Sequence, residues 1–123
     1  MSFAGILGES VRQCGGGIGA ALLGNDGIPI EQMIEPRMPG PLGDDIATAG
    51  VEFCRILEET RKAADALGGG TLEETVVSLS QFTLVFRTVD PETFLVVALR
   101  PDGNLGKARY LIRRSLVALQ QEL

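Results

Sequence analysis

The 123-residue sequence predicts an α/β (α+β) domain: a five-stranded antiparallel sheet with helices above and below it, in the order α-β-β-α-β-β-β-α. Three observations carry that expectation. Apolar residues recur with helical period in three stretches, near residues 3–14, 44–67 and 104–122. The turn signals "GNDG", "DPET" and "RPDGN" separate short apolar runs, which must then pair as antiparallel meanders. Two of those runs, "IGAALL" (18–23) and "FLVVAL" (94–99), are apolar on both faces, as central strands covered on both sides are.

The first helix starts behind Ser2, whose hydroxyl suits an N-cap. Phe3, Leu7, Ser10 and Cys14 then share one face, with Ile6 and Val11 beside it. Next comes "QCGGGIGA", where Gly15, Gly17 and Ala20 have the G-x-G-x-x-A spacing of a dinucleotide site. Glu35 even lies about where a ribose-binding acid would sit. That fingerprint needs a strand before the glycines and a helix after them. Here the order is reversed: a helix precedes, and an apolar strand followed by the Asp26-Gly27 hairpin signal comes after. No helix N-terminus is left to hold a pyrophosphate. Residues 15–17 are therefore expected to be a flexible connector without nucleotide. Ile28, Ile30 and Ile34 fall on one side of the next strand, and Pro29, lacking an N–H, marks that strand as a sheet edge.

"PRMPGPLG" (36–43) reads as a loop. Asp44 and Asp45 suit the positive end of a long helix running to Leu67. Ile46, Gly50, Phe53, Leu57, Thr60, Ala64 and Leu67 follow its core face, and the glycines at 68–70 end it. Strands at 73–79, 82–89 and 94–100 follow. Asn104 caps a final helix to about residue 122, with Leu105, Ala108, Ile112, Leu116 and Leu119 as its core stripe. With the Pro29 strand at one edge, strand 73–79 is left as the other. Its "ETVVSLS" has neither proline nor lysine to blunt pairing. Glu74, Thr75, Val76, Val77 and Ser78 are thus expected to be covered by a second strand.

Composition narrows the function. The chain has no histidine, which removes the commonest general base and zinc ligand. Cys14 and Cys54 match no metal or redox spacing and read as small buried groups. No catalytic, cofactor-binding or metal-binding residue is expected, and the chain is not expected to be an enzyme. A net charge of −5 argues against nucleic-acid binding. Apolar runs are too short for membrane insertion, and no leader peptide is visible, so a cytoplasmic protein with reduced cysteines is expected. The length suits a single domain over residues 1–123.

Taken in order, "AALLGNDGIPIEQ", "DDIATAG" and above all "FLVVALRPDGNLGKARYLIRR" (94–114) resemble the roadblock family. These are dynein light-chain-like domains that include bacterial gliding-motility regulators of small GTPases. The resemblance covers residues 3–122. It implies one long helix on one face of the sheet and two on the other. It implies a homodimer joined edge to edge through strand 73–79. It also implies a platform for a Ras-like small GTPase that itself binds no nucleotide, with GTPase activation found in some members.

At about 100° per residue, placing Phe53 at the centre of the core face turns Val51, Arg55 and Lys62 outward. Val51 with Ala47 and Thr48 makes a small, nearly apolar patch, and Glu52, Arg55 and Glu59 form its rim. This is the expected partner surface. Glu58 and Lys62 are spaced for an i,i+4 ion pair. Arg100, Lys107, Arg109, Arg113 and Arg114 face a single acid, Asp102, and read as a solvated helix face without a phosphate site. The expected function is a non-catalytic homodimeric adaptor for a Ras-like small GTPase, as scaffold or activator. The alternative is an assembly subunit of a sensor or motor complex with no GTPase partner.

Overall fold

The computed structural model describes residues 2–34 and 46–123. The expected loop at 36–43, Glu35, and the helix start at Asp44 and Asp45 lie outside the described residues. The elements are α1 (Phe3–Gln13), β1 (Gly17–Gly24), β2 (Pro29–Ile34), α2 (Ala47–Ala66), β3 (Glu74–Ser78), β4 (Thr83–Asp90), β5 (Thr93–Leu99) and α3 (Leu105–Glu122). One antiparallel sheet has the strand order β2-β1-β5-β4-β3. The expected order and both expected edges are present. Pro29 pairs with Leu23 where the β1–β2 register shifts, so the missing N–H falls at an irregularity.

Alternation along the strands divides the interior into two cores. Leu22, Val85, Leu95 and Val97 pack with α1 and α3 on one face. Leu23, Phe86, Phe94 and Val96 pack with α2 on the other. The Phe53 ring reaches from α2 to within 5.1 Å of Phe86, whose centroid is 6.3 Å from that of Phe94. This aromatic row makes up for a chain with few large side chains.

The caps follow the sequence. Gly5 N–H donates to Ser2 Oγ at 3.1 Å, and Lys107 N–H donates to Asn104 Oδ1 at 3.0 Å. Gly68, with φ of 68°, turns the chain out of α2.

Three local expectations are corrected. Leu67 is 85% exposed and not part of the core face, because the last turn of α2 projects into solvent at Ala66 and Leu67. The α3 stripe also takes in Leu111, which is buried. The glycine connector is pinned and not free. Arg100 N–H donates to Gly16 O at 2.8 Å and Asn104 N–H to Gly15 O at 2.7 Å. Gly16 has φ of 86°, and a Cβ there would stand 2.9 Å from Gly103 Cα. At Gly17 φ is not positive, but a Cβ would meet Val11 O at 2.5 Å. These glycines let backbone approach backbone. α1 precedes them and β1 follows, the wrong context for a dinucleotide site.

Candidate functional site

β3 runs beside β4 in unbroken register, from Glu74↔Arg87 to Ser78↔Thr83. At its two ends Thr88 N–H donates to Glu73 O and Leu79 N–H to Phe82 O. Antiparallel ladders alternate, so Thr75 and Val77 exchange their main-chain bonds with β4. Glu74, Val76 and Ser78 turn theirs toward the open edge. The Val77 side chain packs on the α2 core, while Val76 is 38% exposed on the other face. Glu74 is held by Arg109 of α3, with Nε 2.7 Å from its carboxylate. The five residues expected at the edge are thus all there, but only alternate ones offer main-chain groups to a neighbour.

On α2, Thr48, Val51, Glu52, Arg55 and Glu59 are exposed as the helical period requires. Ala47 is the correction. It is 4% exposed, and its N–H donates to Gln32 Oε1 at 3.2 Å, so the first turn of α2 is tucked against β2. Ile56 was not expected on this surface, yet it is 51% exposed. It stands about 140° round the helix from Val51, on a flank that neither the core nor the patch claimed. The expected Glu58–Lys62 pair is replaced by two i,i+3 pairs, Arg61 with Glu58 and Lys62 with Glu59, each at 3.4 Å.

A second exposed apolar region lies at the other edge. Ile28 and Ile30 are 64% and 43% exposed and line a cleft of about 460 Å³ with Asp26, Pro91, Glu92 and Thr93. The signal was present in Pro29, which marks β2 as an edge strand, with Ile30 within it and Ile28 just before it. Asn25 staples the two turns here: its N–H donates to Glu92 O and its Nδ2 to Pro91 O, both at 2.8 Å, and it accepts from Arg61 Nη2. Burial alone would raise the Asp90 carboxyl. The Thr93 hydroxyl and the N–H groups of Glu92 and Thr93 outweigh it and hold the group below its ordinary value. Burial pushes the Cys14 thiol up, partly offset by the charge of Lys107, in keeping with its place among the apolar side chains of the α1–α3 core. Among the described residues no helix is long and apolar enough to cross a membrane.

No protein-family model and no curated protein matches the chain. Solved structures do. A roadblock/LC7 domain from Streptomyces avermitilis superposes with a TM-score of 0.83 at 18% identity, over 98% of this chain and 97% of that one. The gliding protein MglB from Thermus thermophilus gives 0.84 at 21%, over 96% and 85%. At those identities the likeness is one of fold. MglC from Myxococcus xanthus is 35% identical over the whole length of both chains, with a TM-score of 0.70. The chain belongs to the roadblock/LC7 family. Among the described residues it has two exposed strand edges, β2 and β3, and the exposed face of α2 joins them as a surface on which an interaction can be built.

Proposed function

We propose that this roadblock/LC7 domain is a non-catalytic homodimeric adaptor in the cytoplasm. It pairs through β3 and presents the outward face of α2 to a Ras-like small GTPase, as scaffold or activator. The observation that carries this reading is the β3 edge. Outward-facing main-chain groups at Glu74, Val76 and Ser78 sit on a regular strand with no proline or lysine to block it. A two-fold axis near Val76 satisfies them reciprocally and brings two copies of α2 onto one continuous sheet. Val51, 45% exposed among Thr48, Glu52, Arg55 and Glu59, has the small apolar centre and polar rim of a contact surface. The likeness to MglC and to a gliding protein supports a regulatory setting.

Val51→Glu tests the site. The variant stays folded and dimeric, because exposed substitutions cost little. Its affinity for a Ras-like small GTPase that binds the wild type, titrated in both nucleotide states, falls more than about tenfold, or about 1.4 kcal/mol. Wild-type affinity in a folded dimer places the partner elsewhere. A second reading, an assembly subunit without a GTPase, draws on the cleft at Ile28 and Ile30, an apolar surface remote in sequence from both β3 and α2. A dimer that binds no member of a small-GTPase panel favours that alternative.

A further inference from the structure

We propose that the cleft between α3 and the segment entering β3 is a receptor for an acidic segment of a partner protein. The cleft is about 620 Å³ and is lined by Leu72, Glu73, Glu74, Arg87, Arg109 and Arg113, among others. Arg87 stands in β4 between Val85 and Val89, both in the α1–α3 core, so its side chain enters that face. Only 17% of it is exposed, and its Nε is buried with no acceptor among the described residues. A buried guanidinium N–H without an acceptor is costly, and it leaves the charge of Arg87 incompletely compensated beside the cleft.

The carboxylates already present do not saturate the arginines. Arg109 is committed to Glu74 at 2.7 Å. Arg87 has only a loose contact with Glu73, 3.6 Å from Nη2, and Glu73 is 74% exposed and free to swing away. Arg113 has no partner among the described residues. Three guanidinium groups thus face two carboxylates, in a chain whose net charge is −5. Planar guanidinium forks bind carboxylates in pairs of hydrogen bonds. Arg87 and Arg113 both line the cleft, so a single Asp or Glu side chain entering it meets one loosely paired and one unpaired guanidinium. A nucleic-acid backbone or a lipid surface fits less well, since each brings many charges against Glu73 and Glu74 at once. The cleft shares Glu74 with the proposed β3 edge and Ala64 with the end of α2, but Thr48, Val51, Glu52, Arg55 and Glu59 do not line it, so it does not rest on the GTPase reading.

The test is an anisotropy titration of the intact protein with a fluorescein-labelled peptide of alternating glutamate and leucine. It is run at about 50 mM salt, where ion pairs are little screened. Saturable binding is expected. Arg113→Glu weakens it at least about tenfold. Arg114→Glu makes the same charge change, but Arg114 lies over the Tyr110 ring and donates to Gln13, outside the cleft. It weakens binding less than about threefold, since exposed charges act weakly at a distance. Glu73→Gln removes the competing carboxylate and tightens binding. Circular dichroism verifies that each variant is folded. Absence of peptide binding, equal losses in the two arginine variants, or Arg113-dependent recruitment to phosphatidylserine vesicles without peptide binding overturns the proposal.

Discussion

β2 and β3 both end the sheet, but they end it differently. β2 carries Pro29 and a register shift opposite Leu23, and it exposes the side chains of Ile28 and Ile30. β3 has five residues in regular register, one half-exposed valine, and a free row of main-chain groups. A neighbour at β2 meets an edge broken at Pro29 and flanked by exposed apolar side chains. A neighbour at β3 can extend the ladder itself. Main-chain pairing is tolerant of sequence and naturally two-fold, whereas side-chain recognition suits a different partner.

The contrast is broken most severely by proline at the right position of β3. Val76→Pro removes an outward donor and leaves the bonds to β4 intact, since edge strands tolerate proline where the N–H faces away from the sheet. In the proposed β3 dimer, affinity is expected to fall roughly a hundredfold, about 2.8 kcal/mol. Light scattering reports it: a variant that stays dimeric at micromolar concentration removes β3 from the interface. Val77→Pro is the weaker probe, because Val77 bonds to β4 and its loss damages the monomer as well.

Gly17→Ala acts on the other half of the sheet. Its Cβ would press on Val11 O, so β1 must move from α1. A loss of about 1–2 kcal/mol in urea unfolding is expected from such overpacking. Dimer affinity per folded chain stays unchanged, and a fall in it would show that the two edges are coupled. The smallest effect belongs to Ile28→Lys. Stability stays within about 0.5 kcal/mol, and sedimentation shows the same dimer. A monomeric Ile28→Lys protein would mean that β2, and not β3, carries self-association.

Much of this contrast was legible beforehand. Pro29 and the unblocked "ETVVSLS" named the two edges, and two-faced apolar runs named β1 and β5 as interior strands. These are local patterns, and backbone chemistry alone decides them. What escaped depends on groups distant in sequence. Ala47 is buried because Gln32 of β2 takes its N–H. The connector at 15–17 is rigid because the turn at 100–104 bonds to it. The helical period cannot register that α2 outruns the surface it covers, so Leu67 was misplaced. Nor can residue type alone indicate that Arg87 enters a core face while Arg109 reaches across to Glu74. The proposed partner surface is the least legible, because an exposed valine on a helix looks the same with or without a partner.

The strand order also sets a timetable for synthesis. β1 lies beside β2, but its other neighbour is β5, with pairs from Gly24↔Thr93 to Gly17↔Leu99. β4 likewise waits for β5. Until Thr93 to Leu99 leave the ribosome, the nascent chain can form only two separate hairpins, β1–β2 and β3–β4. Each has an unpaired inner side, and β1 is apolar on both faces. Such long-range pairing is slow and leaves the waiting strands prone to aggregation. The strand that joins the two halves is the last of the five to emerge, so a chain released before Thr93 has the parts of a sheet and no middle. Chaperone contacts during translation are accordingly expected to concentrate on residues 17–24.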